Sequence, residues 1–165
     1  MPDVSVRKVG AADHPVLERL WLMFWHDMSE FRDQLPDPDG TFHSERLQAA
    51  LEDTAWTSYL LTYGERPVGL ALVHDLGNQK RVLNSFFVVR GARRAGIGLR
   101  AVQDVVSRHP GHWEIAFQDN NAAAVRFWRH VATEIAGDTW TEDHRPVPGQ
   151  PNLPPDTWIS FDVPA

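Results

Sequence analysis

Three extended runs follow one another at 57–63, 67–74 and 81–89, separated only by Gly64-Glu65-Arg66 and by Leu76-Gly77-Asn78-Gln79-Lys80. Connections this short join antiparallel neighbours, so the runs predict an antiparallel meander. The pattern then changes. From Gly96 a helical periodicity runs to Arg108, with Ile97, Ala101 and Val105 beside Val102 and Val106 on its inner side, and Pro110-Gly111 ends it before another extended run at 112–118. Strand, helix and strand in that order predict a right-handed parallel crossover. One sheet must therefore be antiparallel first and parallel afterwards.

The flanking segments supply helices for both ends of that sheet. Residues 4–9 read as a first strand, and Asp13 or His14 caps a helix with Pro15 in its first turn. Leu17, Leu20, Trp21, Phe24, Trp25, Met28 and Phe31 then recur at steps that form one apolar stripe. Pro36 and Pro38 mark a loop at 33–40, and a second helix spans about 44–51. Asn120 or Asn121 caps a further helix carrying Ala124, Trp128, Val131 and Ile135 on one face. A strand near 139–142, an ordered proline-rich loop over 146–155 and a strand at 157–163 close the chain as a hairpin. The fold class is α+β (mixed α/β), a central mixed sheet flanked by helices.

The 165 residues suit a single domain, 1–165, with a core that needs no staples. Cysteine is absent, which excludes disulfides, thiolate metal sites and a cysteine nucleophile. His109 and His112 straddle Pro110-Gly111 and make no metal pair, so no metal is expected. No apolar run approaches the roughly 20 residues of a membrane span, and the N-terminus lacks a signal peptide's order. The expectation is a cytoplasmic protein without a membrane partner, monomer or homodimer.

A net charge of −6 argues against a general nucleic-acid binder. Its distribution says more. Residues 1–56 hold 11 acids and 5 bases, with Asp27, Glu30, Asp33, Asp37 and Asp39 close together. Residues 90–100 hold Arg90, Arg93, Arg94 and Arg100 with no acid. One region suits a cationic ligand and the other an anionic one.

The basic region is also where an apolar strand turns into a helix, through Arg90-Gly91-Ala92-Arg93-Arg94-Ala95-Gly96-Ile97-Gly98. A helix N-terminus offers unpaired N–H groups and partial positive charge, glycines at 96 and 98 let a pyrophosphate come close, and arginines add charge-assisted bonds. The Gly-Lys-Ser/Thr ending of an NTPase loop is missing. Gly96-Ile97-Gly98-Leu99-Arg100-Ala101 matches the dinucleotide pattern, but Arg90 to Ala95 intervene after the strand and the meander contradicts a parallel nucleotide fold.

Arg93, Gly96 and Gly98 instead spell R-x-x-G-x-G behind a strand, and Asn121, Ala124, Phe127 and Trp128 spell N-x-x-A-x-x-F-W. With these motifs in this element order, the chain resembles the GCN5-related N-acetyltransferase (GNAT) superfamily over nearly its whole length. Asp-Met-Ser-Glu-Phe at 27–31 and Asp-Gly-Thr-Phe at 39–42 are similar to a bacterial branch of it. The resemblance implies acetyl-CoA as co-substrate. Its pantetheine would pair with main chain at Phe87, Val88 and Val89 where two strands splay. Its pyrophosphate would sit on Arg93, Arg94, Ala95, Gly96, Ile97, Gly98 and Leu99, with Asn121 reaching the pantetheine arm and Trp128 walling the thioester. It also implies acceptor-side helices at about 13–56, an acetyl-CoA-binding core at about 57–135 and a C-terminal hairpin at about 138–163.

The expected activity is transfer of an acetyl group to a primary amine of a cationic small molecule or peptide, by direct attack in a ternary complex. The alternative is a non-catalytic acyl-CoA sensor or an interaction domain of the same fold. Many relatives carry a tyrosine acid at the position of Trp128 and a glutamate base near Asn84. Neither is present here. Glu114, between Trp113 and Ile115 in a central strand, is the expected base if burial raises its pKa. Trp21, Trp25 and His26 beside the acidic run would form the acceptor's mouth.

Overall fold

The computed structural model describes residues 4–93 and 96–165. Strands β1 (Val4–Lys8), β2 (Trp56–Tyr63), β3 (Arg66–Gly77), β4 (Lys80–Val88), β5 (Gly111–Phe117), β6 (Thr141–Arg145) and β7 (Asp156–Val163) form one sheet, ordered β1-β2-β3-β4-β5-β7-β6. Helices α1 (His14–Arg32), α2 (Glu45–Glu52), α3 (Ile97–Ser107) and α4 (Ala122–Ala136) flank it. Every pairing is antiparallel except β4 with β5. The expected meander and crossover are both present.

The central strands have both faces covered. Tyr59 and Leu61 of β2 and Ala71 and Val73 of β3 join α3, α4 and the inner face of β5 in one apolar cluster. Leu60, Leu70, Leu72 and Phe87 join Leu17, Leu20, Trp21 and Phe24 of α1 and Leu47 of α2 in the other. Period-two alternation in the strands therefore splits the core into two layers.

Three local differences from the sequence reading have physical causes. The β3–β4 hairpin extends to a two-residue turn at Asn78 and Gln79, both at positive φ, which lengthens both strands. Asp13 stands at the start of α1 but its carboxylate accepts from Arg7 (2.7 and 2.8 Å) and from the Gly10 N–H (2.9 Å), so its side chain does not cap α1. Strand β6 begins later than expected because Thr139 folds back onto the end of α4, donating twice to the Ala136 carbonyl.

The pairing that positions the site is the shortest. β4 and β5 are paired at 80–82 with 112–114 and then part, leaving the edge of β4 from residue 83 onward without a β5 partner. On its other side β4 stays on β3, with a register shift that passes over Asn84. That bulge lies just beyond the point where the strands separate.

Candidate active site

The parted strands open into a cleft of about 1310 Å³. Residues 83–88 of β4 form one wall, while 115–118 and the face of α4 with Asn121, Ala124, Phe127 and Trp128 form the other. The start of α3 and residues of α1 and α2 complete the lining. The Arg100 N–H is bonded to the Gly96 carbonyl as the first turn of α3 closes, so the N–H groups of Ile97, Gly98 and Leu99 precede that ladder. Gly96 holds φ +73°, the left-handed conformation that glycine adopts without strain.

Of the residues the sequence singled out, Phe87, Val88, Arg93, Gly96, Gly98, Leu99, Asn121 and Trp128 line this cleft. Val89 and Ile97 do not. Ile97 is buried in the α3–α4 core, and Val89 packs against both clusters. Arg94 and Ala95 lie outside the described residues. Asn121 caps α4 by accepting from the Ala124 N–H at 3.1 Å, which uses its oxygen and leaves its amide N–H groups. A Cβ on Gly98 would lie 3.0 Å from the Phe127 ring, so its missing side chain makes room for α4.

The arginines of the loop are held. Arg90 and Arg93 both pair with Asp27 of α1, whose side chain is only 12% exposed. Arg93 also donates to the Val88 carbonyl at 2.7 Å and lies over the Phe87 ring. The acidic run is therefore no single attractor. Asp27 clamps the loop, Asp37 and Asp39 shape a turn with Thr41, and Glu30 and Asp33 line the cleft. Trp21 is buried and donates to the His43 carbonyl, while His26 lies outside the cleft. The Trp25 indole N–H is buried with no acceptor among the described residues.

Glu114 is the clearest departure. Trp113 and Ile115 face the α3–α4 core, so Glu114 points to the opposite face. It accepts from Arg145 at 2.6 Å and Ser160 at 3.1 Å and does not line the cleft. The Arg145 guanidinium holds the Glu114 carboxyl below its ordinary value, outweighing the burial that would raise it. A base near neutral pH needs the opposite shift, so the expected raised pKa is corrected and the ground for a base role goes with it. Because the native pKa is depressed, its stabilising contribution is present above the ordinary Glu value and is lost as pH falls through the depressed one. Carboxyl NMR titration is expected to place Glu114 below the ordinary range and to show it rising in Arg145→Ala. Titration above that range in the native protein would restore the base assignment.

Two cleft residues escaped the sequence reading. Arg32, in the last turn of α1, and Arg46, on α2, both line the cleft. Nothing local in the sequence marks them, because each reads as one more exposed helix charge.

The acetyltransferase (GNAT) family model matches residues 17–132. An acetyltransferase from Thermus thermophilus is similar over 99% of this chain and 100% of its own, with a TM-score of 0.71 and 16% identity. A GNAT family acetyltransferase from Elizabethkingia anophelis, solved with acetyl-CoA bound, covers the same shares with a TM-score of 0.70 at 13% identity. A ribosomal-protein-alanine N-acetyltransferase from Brucella melitensis is similar over 96% of this chain and 99% of its own, with a TM-score of 0.64 and 18% identity. No curated protein matches the chain by sequence. The matched span holds both motifs, the parted strands and the helix start at their junction, and the chain belongs to the acetyltransferase (GNAT) family.

Proposed function

We propose that the protein is an N-acetyltransferase that moves the acetyl group of acetyl-CoA to a primary amine held in the same cleft. The observation that carries this is the parting of β4 from β5 beside the start of α3. An unpaired strand edge offers amide partners to an extended arm, and the helix start offers N–H groups to phosphate. Main chain at Phe87, Val88 and Val89 would follow the pantetheine. The segment from Arg93 to Leu99, including Arg94, Ala95 and Ile97 by sequence position, would take the pyrophosphate. Asn121 would donate to the arm. The chain would act as one unit, with residues 13–56 on the acceptor side, 57–135 holding acetyl-CoA and the hairpin at 138–163 behind β5.

Acetyl-CoA supplies the acetyl group and a thiol leaving group. The amine nitrogen forms a bond to the thioester carbon, the C–S bond breaks, and the proton lost by nitrogen balances the one the thiolate gains. The bulge at Asn84 puts irregular main chain where the strands part, a suitable place to orient that carbonyl. Trp128 packs edge-on against Phe86 and Phe127 and is nearly buried, so it serves as a wall. An indole N–H is no acid at neutral pH, and the thiolate would take its proton from solvent or from the protonated product.

Calorimetry with acetyl-CoA, followed by a thiol-release assay over a panel of amines, tests the reading. Binding followed by amine-dependent thiol release is expected. Binding without release for any amine would identify a sensor, as the missing tyrosine would allow, and no binding would overturn the reading altogether.

A further inference from the structure

The part of the cleft lined by α1 and α2 carries both signs of charge. Glu30, Asp33 and Glu45 line it, and so do Arg32 and Arg46. The two arginines differ in what holds them. Arg32 pairs with Asp156 at 3.4 Å, and the Gln118 carboxamide accepts from it when its oxygen faces the guanidinium. Arg46 makes no hydrogen bond or ion pair among the described residues. Its neighbour Glu45 precedes it by one position on α2, a spacing that turns the two side chains apart. Arg46 is exposed, and partial desolvation together with repulsion from Arg32 lowers its pKa, while Asp156 offsets only part. Asp156 therefore pairs with one guanidinium and attracts the other only at a distance, and Arg46 lines the cleft without an ion pair among the described residues.

We infer that Arg46 receives a carboxylate of the acceptor, so that the acetylated amine belongs to a molecule carrying both an amino group and a carboxylate. This rests on the transferase reading above. Arginine presents paired donors that match a carboxylate, and a guanidinium binds it more specifically than an ammonium would. The carboxylates on the same wall then face the protonated amine as it arrives. A purely cationic acceptor would leave Arg46 unpaired and add like charge beside it. Two sources share the required chemistry, a free amino acid and a peptide N-terminus with an acidic residue close behind it.

Paired acceptors test this. One arm compares amino acids with their amides, and the other compares peptides beginning Ala-Asp or Ala-Glu with those beginning Ala-Asn or Ala-Gln. The wild-type protein is expected to favour the carboxylate member of at least one arm by about 30-fold in kcat/KM. Arg46→Gln should abolish that preference while leaving the neutral acceptors and acetyl-CoA affinity within about twofold. Arg46→Lys, which keeps the charge without the fork, should retain part of it. The same pairs are measured for binding by calorimetry in the presence of CoA, so the preference is read even without turnover. Turnover with no carboxylate preference, a preference that survives Arg46→Gln, or loss of acetyl-CoA affinity in that variant overturns this inference alone. Absence of thiol release from every acceptor overturns the transferase reading instead.

Discussion

Gly96→Asp is expected to weaken acetyl-CoA binding by at least about 100-fold, close to 2.7 kcal/mol, in a protein that remains folded. Gly96 stands at φ +73° and ψ 16° just ahead of α3, and a Cβ there would meet nothing within 4 Å among the described residues. The fold therefore has space for a side chain. The left-handed backbone costs about 1–2 kcal/mol for an ordinary residue, and Asp and Asn are among the side chains that adopt it most readily. The carboxylate would sit beside the N–H groups of Ile97, Gly98 and Leu99, competing for them and repelling a pyrophosphate. Like charges about 4 Å apart interact by about 4 kcal/mol at an effective dielectric of 20, so the charge should outweigh the strain. Gly96→Asn carries the same shape without the charge, and its loss should stay within about tenfold. Calorimetry on both variants separates the two causes. Equal losses would mean that the charge does not face the phosphates, and two wild-type affinities would remove the helix start from the site.

Much of the fold was legible because the signals are local. Short turns specify antiparallel neighbours, and the 3.6-residue pattern of Ile97, Ala101 and Val105 specifies α3. The splay of β4 from β5 is a different matter. Leu83, Phe86, Phe87 and Val88 are as apolar as residues of a strand paired on both edges, because β3 and the two core layers cover them regardless. Only the family resemblance pointed to the parting, since hydrophobic patterning reports burial and not which backbone edge is free.

The site was legible where a motif lies in one stretch and illegible where charges meet across the chain. Asp27 and the two loop arginines are more than 60 residues apart, so an acidic and a basic segment read as separate sites although they neutralise each other. Glu114 was misread for the same reason. Its sequence neighbours Trp113 and Ile115 point to the other face, and its real partners lie 31 and 46 residues away. Arg46 shows the converse: among the described residues it makes no hydrogen bond or ion pair, which a linear sequence does not display.

Gly69→Ala is expected to destabilise the protein by about 3 kcal/mol or more, lowering Tm by about 6–12 °C for a chain of this size. Alanine in place of glycine inside a strand ordinarily stabilises by about 0.5–1 kcal/mol, so the sign alone is diagnostic. Gly69 pairs with Val88, and a Cβ built on it would lie 2.1 Å from the Phe87 carbonyl oxygen and 3.2 Å from the Val88 Cα. Both are main-chain atoms and cannot rotate away. Relief requires β3 and β4 to separate, yet β3 is held by β2 on its other edge, with Leu70, Ala71 and Leu72 fully buried between two packed layers. A close-packed interior resists such a shift. The displaced atoms belong to the wall of the cleft, since Phe87 and Val88 line it. Acetyl-CoA affinity should therefore fall well below the melting transition. Gly137→Ala supplies the contrast, because it adds positive-φ strain at +65° with nothing within 4 Å among the described residues and should cost only about 1–2 kcal/mol without touching affinity. If Gly69→Ala melts within about 2 °C of the wild type, a shift worth no more than about 1 kcal/mol, the two strands do not approach this closely at the base of the cleft.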